Sequence, residues 1–218
     1  MHQIIMEIAQ SIQQYAATPI PHHVMAWLLR DYSQPNDKIH HLLQDGLLQQ
    51  IRRGLYIAGP AITASKPEPF LLANHILGPS YVSLESALSY YGLIPEKVFA
   101  ITSVTTKAKR QFATSIGTYS YTRLPLPYYS YGIRSIEVLP QQQRFLIASP
   151  EKALFDKIIT TAGVEFRSKT SVLTYIENDL RLDMEVLKNF EIPLMDSWLP
   201  TSPKKDTLSL LLKTIQEQ

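Results

Sequence analysis

The sequence predicts an α+β fold: an N-terminal winged helix-turn-helix followed by a mixed α/β domain, whose antiparallel or mixed sheet is flanked by helices. Three observations indicate it. Apolar residues recur at helical spacing over residues 2–44, and two short strand patterns joined by a tight turn follow at 48–58. Between residues 98 and 148 the pattern alternates as in strands. From residue 149 onwards it returns to helical spacing.

The first 32 residues predict two helices separated by an extended break. The first spans residues 2–16 and places its apolar side chains on one face: Ile4, Ile5, Ile8, Ile12 and Tyr15. Thr18–Pro21 contains two prolines, and residues before proline avoid the helical region, so the chain is expected to be extended there. A second helix is predicted over His22–Tyr32, which has its own periodic apolar residues.

The stretch Gln34–Ala58 organises the N-terminal half. Its first part predicts a helix, which Gly46 ends by adopting the left-handed conformation of a C-cap. Two strands, Leu48–Arg52 and Leu55–Ala58, then fold back on each other at Arg53-Gly54. A short helix followed by a basic hairpin is the second half of a winged helix-turn-helix, in which the helix enters the major groove and the hairpin contacts the flanking backbone. We therefore expect this stretch to bind DNA.

The candidate groove-facing residues are polar side chains that lie off the apolar stripe of the predicted helix: Asn36, Lys38, His40, His41 and Gln44. Asparagine and glutamine amides pair with adenine, and lysine reaches guanine or phosphate. From the hairpin, Arg52, Arg53 and Tyr56 are expected to contact the DNA backbone or the minor groove.

Other interpretations of this half stay open. Polar residues off an apolar stripe are commonly just solvated, and a winged helix also serves as a protein-binding module. Residues 1–62 contain four Lys or Arg and four Asp or Glu, so this half has no excess of positive charge to attract DNA. The adjacent pairs His22-His23 and His40-His41 point about 100° apart on a helix, which does not favour a shared metal ion. No metal site is predicted.

The boundary between two domains is predicted at Gly59–Pro69, which has three prolines and several small residues. The DNA-binding domain then spans residues 1–60, and the C-terminal α/β domain spans residues 67–218. The second domain begins with a helix over Phe70–Leu77, followed by another within Tyr81–Pro95. Four strand patterns come next: Val98–Val104, Gly117–Leu124, Ile136–Leu139 and Arg144–Ala148.

Residues 97–144 hold seven basic residues, including Lys97 and Arg144, against one acid, Glu137. Tyrosines are interleaved among them, and cations with aromatic rings are what a phosphate backbone or a single-stranded nucleic acid would need. The region is therefore interpreted as a surface for nucleic acid or for another acidic partner. The alternative is ordinary surface plus core, because alternate residues of a strand face opposite sides. The candidate residues of this second basic surface are Lys107, Lys109, Arg110, Arg123 and Arg134.

The C-terminal part is predicted to be helical. Ser149-Pro150-Glu151 supplies an N-cap, a proline at the first helical position and an acid in the first turn. The adjacent opposite charges Glu151-Lys152 and Asp156-Lys157 are expected to be solvated on that helix rather than catalytic. Further helices are predicted over Ser171–Leu180, Asp183–Phe190 and Lys204–Gln216.

Several function classes are excluded by what the sequence lacks. There is no glycine-rich phosphate loop, Gly-x-Ser-x-Gly elbow or His-Glu-x-x-His motif, so we expect neither an enzyme nor a cofactor. Without cysteines, disulfides and thiolate metal sites are excluded. No apolar run approaches the roughly 20 residues that span a bilayer, and the N-terminus is typical of neither a signal nor a transit peptide. A cytoplasmic protein without a membrane partner is expected.

Three segments resemble the AbiEi antitoxin family, the regulators of AbiE-type (type IV) toxin–antitoxin pairs in bacteria. They are the hairpin Ile51–Tyr56, the segment Tyr81–Pro95 with its sequence SLESAL, and Ser149–Asp156 with the sequence SPEKALFD. The last two are the more specific, and the resemblance covers nearly the whole chain. It implies an N-terminal winged helix that binds repeats in its own promoter. It also implies a C-terminal α/β domain that completes repression and carries the antitoxin activity.

The partners implied by this resemblance are promoter DNA with repeats and a nucleotidyltransferase toxin, which the antitoxin counteracts without needing a stable complex. This chain differs from the family in that its N-terminal domain is nearly neutral, which does not favour tight promoter binding by that domain alone. The basic second domain is expected to supply the missing phosphate contacts. The sequence thus predicts an antitoxin and autorepressor. The alternative is a winged-helix transcriptional regulator whose second domain binds a ligand or a protein.

Overall fold

A computed structural model describes residues 2–96, 98–138 and 143–217. Within those ranges the chain forms ten α-helices and two β-sheets, one of them mixed, which confirms the predicted α+β class. Two predicted positions, the basic Lys97 and the strand end Leu139, lie outside the described residues. None of the helices in these ranges is long and apolar enough to cross a membrane.

The N-terminal half consists of three helices and a three-stranded antiparallel sheet. Its elements are α1 (His2–Gln13), β1 (Ile20–Pro21), α2 (His22–Leu28), α3 (Pro35–Gln44), β2 (Leu48–Arg52) and β3 (Leu55–Ala58). The strand order is β1-β3-β2, so β3 is central. The predicted bounds of β2 and β3 are confirmed, whereas α2 ends four residues before the predicted Tyr32. The short strand β1 was not predicted, because its proline indicated only a break; proline is tolerated there because β1 is an edge strand.

The second half is built on a six-stranded mixed sheet. Its strands are β4 (Ser80–Val82), β5 (Ala100–Thr105), β6 (Arg110–Thr114), β7 (Gly117–Arg123), β8 (Ile133–Val138) and β9 (Gln143–Ala148). The order is β6-β7-β5-β4-β9-β8, with β4–β9 and β5–β7 parallel and the other neighbours antiparallel. Strand β6 was not predicted, because its largely polar sequence does not alternate strongly.

Helices cover this sheet and form the C-terminal part. They are α4 (Pro69–Ile76), α5 (Leu84–Tyr90), α6 (Pro150–Thr160), α7 (Lys169–Thr174), α8 (Met184–Leu187), α9 (Ile192–Trp198) and α10 (Lys205–Gln216). The predicted start of α6 is confirmed, since the Ser149 hydroxyl accepts a hydrogen bond from the Lys152 amide. The helix predicted over Ser171–Leu180 is instead α7 followed by a π-helical turn, and α9 was not predicted.

The small sheet lies between two hydrophobic cores, because strand residues alternate between its faces. Tyr56 and Ala58 of β3 pack in the N-terminal core with α1, α2 and α3. Leu55 and Ile57, with Ile51 of β2, pack in the core of the second half. The hairpin formed by β2 and β3 is therefore held by both halves of the chain.

Candidate nucleic-acid interface

Helix α3 presents most of its predicted DNA-contacting residues to solvent. Asn36, His40, His41 and Gln44 are exposed, and the Gln44 amide lies 3.1 Å from the His40 ring nitrogen. Lys38 is half-buried, with its ammonium 5.5 Å from the centre of the Tyr32 ring. The opposite side of α3 buries Ile39 and Leu42 in the N-terminal core. The polar side of the helix is thus free for a partner, with Lys38 partly engaged.

The tip of the hairpin lies beside the start of α3. Gly54 has φ +78°, a conformation that L side chains rarely adopt, and its carbonyl accepts a hydrogen bond of 2.9 Å from the His22 amide. His22, Asn36, Arg53 and Gly54 line one concavity of about 450 Å³, bordered by Tyr56. The structure therefore brings Asn36 and Arg53, predicted separately, to one surface.

Tyr56 does not fit its predicted role as an independent DNA contact. Only 6% of the residue is exposed, because its side chain packs in the N-terminal core, and burial raises the pKa of its hydroxyl. Alternation along β3 puts Tyr56 on the same face as Ala58, toward the helices. The sequence pattern did not reveal this, since β3 is buried on both faces.

A second concavity lies on the other side of the hairpin tip. This basic cleft, of about 370 Å³, is lined by Arg52 and Arg53 of the hairpin and by Lys107 and Arg110 of the second half. Phe112 of β6 and the end of α4, Ile76–Gly78, complete the lining. Among the described residues, four cations and no carboxylate line this space. Two sets of basic residues that are distant in sequence, the hairpin and the second basic surface, meet here.

The other members of the second basic surface are placed differently. Lys109 and Arg123 are exposed, but neither lines the basic cleft. Arg134 lies on β8, at the opposite edge of the sheet from β6, so about 24 Å of sheet separates those strands at the usual strand spacing. Its guanidinium is 3.8 Å from the buried Glu151 carboxylate. The prediction that Arg134 shares a surface with Lys107 is therefore wrong.

The tyrosines interleaved with these cations belong largely to the core. Tyr119, Tyr121 and Tyr128 are at most 1% exposed, while Tyr129 and Tyr131 are half-buried. Burial raises the pKa of Tyr119 to about 12, and it raises the pKa of Tyr121 further. Buried rings offer no face to a nucleic-acid base. Tyr119, Tyr121 and Tyr128 therefore cannot stack on bases, as the aromatic side chains of a single-strand binder do.

The expectation that the charged residues of α6 are solvated is wrong for three of the four. Glu151 is 5% exposed, and Lys152 and Asp156 are fully buried. The Lys152 ammonium lies 3.0 Å from an Asp156 oxygen and donates to the Tyr128 carbonyl at 3.0 Å. Lys157 is the exception, half-buried and paired with Glu85. Adjacent opposite charges suggested a solvated surface, but the four-residue spacing of Lys152 and Asp156 is what allows their pairing on one helical face.

Hydroxyl groups satisfy the rest of the Asp156 carboxylate. One oxygen accepts from Tyr81 (2.9 Å) and from Ser83 (2.7 Å), and the other accepts from Tyr128 (2.9 Å). Desolvation, reinforced by this carboxylate, raises the pKa values of Tyr81 and Tyr128 well above their usual range. Burial lowers the pKa of Lys152, and Asp156 opposes that shift. All five residues are enclosed, so this cluster stabilises the fold and offers no access to a substrate.

This cluster joins two segments that carry the resemblance described above. Ser83, in SLESAL, donates to Asp156, in SPEKALFD, and Glu85 pairs with Lys157 across the same junction. Ser83 occupies the N-cap position of α5, but its hydroxyl makes this tertiary contact instead of capping the helix. Within the part of the chain that the structure describes, no group of three His, Asp or Glu side chains is placed to hold a metal ion.

Comparisons with known proteins give a fold and no family. No family model matches the chain, and no curated protein matches it. Among solved structures, the chain is similar to the crystal structure of the RV2827C protein from Mycobacterium tuberculosis, with a TM-score of 0.63 and 15% sequence identity. The similarity covers 95% of this chain and 75% of that chain. At this level of identity it shows the fold alone.

Proposed function

We propose that the chain is a DNA-binding autorepressor with a winged helix-turn-helix in its N-terminal half, and that it is the antitoxin of a type IV toxin–antitoxin pair. The observation that carries the DNA-binding part is the concavity shared by Asn36 at the start of α3 and Arg53 at the hairpin tip. In a winged helix-turn-helix, the helix enters the major groove while the hairpin touches the flanking backbone. The order of α1, α2, α3, β2 and β3 supports this assignment.

The chemistry of the surface supports DNA as the ligand. The exposed amides of Asn36 and Gln44 have the donor and acceptor pair that recognises adenine in the major groove. Arg52 and Arg53 are exposed at the hairpin, and Arg53 lines the same concavity as Asn36 of α3. The overall net charge of +2 is small, so binding depends on the local placement of these cations rather than on the field of the whole protein.

The antitoxin part of the proposal rests on the resemblance to the AbiEi family. Its more specific segments, SLESAL and SPEKALFD, meet in the buried cluster around Asp156, so they maintain the fold of the second half. The nucleotidyltransferase toxin that the resemblance implies would be counteracted by this half.

The DNA-binding part is tested by gel shift of the full chain on the DNA upstream of its own gene, at two salt concentrations. We expect a specific shift that weakens at the higher salt, because cations that contact phosphates release counterions on binding. The Asn36→Ala/Gln44→Ala variant should lose preference for particular bases. The Arg52→Ala/Arg53→Ala variant should bind all DNA more weakly and with a smaller dependence on salt. No shift by the wild-type protein at low salt would refute DNA binding.

The antitoxin part has its own test. If an adjacent reading frame encodes a nucleotidyltransferase, its expression alone should arrest growth, and expression together with this chain should restore growth. A toxic neighbour that is not counteracted would refute this part while leaving DNA binding intact. The alternative function, a transcriptional regulator whose second half binds a ligand or a protein, is favoured if no such neighbour exists.

A further inference from the structure

A cavity of about 480 Å³ lies in the C-terminal part of the chain, and we call it the α7 cavity. Its walls are the segment that joins α6 to α7, the helix α7 itself and the π-helical turn Tyr175–Asp179. None of the candidate DNA-binding residues lines it. Sites for small molecules typically have volumes of roughly 300–1,000 Å³, so this cavity has the size of such a site.

The α7 cavity is lined by two carboxylates and, among the described residues, by no basic side chain. Glu165 belongs to the segment before α7, and Asp179 ends the π-helical turn. Both residues are exposed, and within the described structure neither carboxylate lies within ion-pair distance of a cationic side chain. Two unpaired carboxylates on one cavity favour a cation as its ligand.

Two aromatic rings favour an organic cation in particular. Phe166 and Tyr175 both line the α7 cavity, with ring centres 5.5 Å apart and ring planes inclined at 57°. Aromatic faces attract ammonium groups, and the rings also cover the apolar stem that carries such a group. A metal ion is disfavoured, because in the part of the chain that the structure describes no group of three His, Asp or Glu side chains is placed to hold one.

The walls of the α7 cavity are held in one conformation. The Ser171 amide donates a hydrogen bond of 3.2 Å to the Ser168 hydroxyl, and the Ser168 amide donates one of 3.2 Å to the Ser171 hydroxyl. On the other wall, the Leu180 amide donates to the Tyr175 carbonyl at 2.9 Å and closes the π-helical turn. Such turns are rare and occur frequently at functional sites. A preorganised cavity loses little conformational entropy when a ligand binds.

Tyr175 adds a further indication of a ligand. The residue is 7% exposed, and its buried hydroxyl has no hydrogen-bond partner among the described residues. A buried hydroxyl without a partner costs free energy. Because Tyr175 is part of the cavity wall, this cost favours a ligand that brings a hydrogen-bonding group to that wall.

We propose that the α7 cavity binds a small organic dication, a linear alkyl diamine. One ammonium group pairs with Glu165 and the other with Asp179, while the alkyl stem lies against the rings of Phe166 and Tyr175. The second charge distinguishes this ligand from a monoamine, and the stem distinguishes it from a hydrated metal ion. The inference goes beyond the proposed DNA binding and does not depend on it.

The test is a titration of isotope-labelled protein with putrescine, a linear alkyl diamine, followed through amide chemical shifts at constant ionic strength. We expect saturable shifts that are confined to residues 163–179 and their immediate neighbours. Butylamine has the same stem and one charge, and it should bind about fivefold more weakly. Butanol has no charge and should cause no saturable shift.

Variants that keep the shape of each side chain test the two carboxylates. Glu165→Gln and Asp179→Asn should each weaken putrescine binding about fivefold, and each should abolish the preference for putrescine over butylamine. The double variant should lose roughly 25-fold, because the two carboxylates pair with different ammonium groups. Glu177→Gln is the matched control, since Glu177 is an exposed acid of the same π-helical turn that does not line the cavity. Its affinity for putrescine should equal that of wild type.

Three results would overturn the inference. The first is the absence of saturable shifts up to about 10 mM putrescine. The second is a loss of affinity in Glu177→Gln as large as in Asp179→Asn, which would assign the effect to net charge. The third is equal binding of putrescine and butylamine by wild-type protein. Thermal melting without ligand checks that each variant is folded, and the gel shift described above tests DNA binding separately.

Discussion

Two groups of charged residues in this chain have opposite surroundings. Around Asp156, a carboxylate and the Lys152 ammonium are fully buried, and three hydroxyls complete the coordination of the carboxylate. Around the hairpin tip, four cations are exposed and unpaired within the described structure. Burying a charge costs free energy unless partners replace its water, whereas an exposed cation keeps its water until a ligand displaces it.

This difference separates charges that stabilise the fold from charges that are available for binding. The Asp156 cluster ties β4, the start of α5 and α6 together, and no ligand can reach it. The cleft cations contribute no contact of comparable strength to the fold, and their mutual repulsion disfavours it slightly. Perturbing the first group should therefore change the free energy of unfolding, and perturbing the second should change affinity for DNA.

Alkaline pH should have the largest effect, and it acts through the buried tyrosines. Burial raises the pKa of Tyr119 to about 12, and it raises the pKa values of Tyr81 and Tyr128 well above their usual range. A raised pKa in the folded state means that the stabilisation is complete below pH 10, the usual pKa of tyrosine, and is lost as pH rises above it. Above pH 10, each such tyrosine lowers the free energy of unfolding by about 1.4 kcal/mol per pH unit. Several of them together therefore cancel a typical free energy of unfolding of 5–15 kcal/mol by roughly pH 12.

The measurement is phenolate absorbance followed together with circular dichroism during an alkaline titration. We expect these tyrosines to ionise in one cooperative step that coincides with loss of secondary structure. Burial lowers the pKa of Lys152, and this opposite contribution is complete once pH exceeds the usual lysine value near 10.5. Gradual ionisation of every tyrosine with the helices intact would contradict the enclosed cluster.

Asp156→Ala should have the next largest effect. It leaves the Lys152 ammonium buried without its counter-charge, and removing one partner of a buried ion pair costs about 3–5 kcal/mol. Urea unfolding measures the change. Asp156→Asn keeps the shape and some hydrogen bonds and should cost less.

A double-mutant cycle with Lys152→Met isolates the ion pair itself. The double variant Lys152→Met/Asp156→Ala should be destabilised by less than the sum of the two single changes, because residues in contact are coupled. Additive effects would mean that Lys152 and Asp156 stabilise the fold independently, each through its other partners. DNA affinity of the folded fraction should be unaffected in each case.

Gly132→Ala should destabilise the same region by about 1–3 kcal/mol. A Cβ at this position would lie 2.7 Å from Lys152 Cβ and 2.9 Å from the Trp198 ring, in addition to the strain of φ +59°. Gly92→Ala is the matched control, since Gly92 has φ +68° with no atom within 4 Å of the added Cβ. It carries the backbone strain alone, and thermal melting should show it as the milder change. If both variants lower the melting temperature equally, the contacts of the added Cβ with Lys152 and Trp198 contribute nothing to the destabilisation.

The sequence predicted those elements whose signals are local. The bounds of β2 and β3 follow from a turn glycine between two apolar runs, and the start of α6 follows from a serine cap with proline behind it. Strands β4 and β6 were missed because they are short or polar, and only pairing with β5 and β7 makes them strands. Tertiary context decided these elements rather than local preference.

The candidate sites show the same limit. Arg52, Arg53, Lys107 and Arg110 were all identified as basic candidates from sequence, but their convergence depends on how β6 packs beside the hairpin. The wrong expectation for Lys152 and Asp156 has the same origin. Opposite charges next to each other in sequence are commonly solvated, and their burial here requires Tyr81 and Tyr128 from distant segments.

The smallest expected effect on the free energy of unfolding comes from the cleft cations. It tests whether these side chains contribute to the stability of the fold. Lys107→Ala/Arg110→Ala should change the free energy of unfolding by less than about 0.5 kcal/mol, as is usual for exposed positions. The sign is informative. If the cations repel one another, removing two of them stabilises the protein at low salt, and added salt stabilises wild type more than the variant, because screening relieves the same repulsion. Melting curves at two ionic strengths, without DNA, measure both quantities. Clear destabilisation of the variant at every salt concentration would mean that these residues hold the fold, as Lys152 does, and the contrast between the two charged groups would fail.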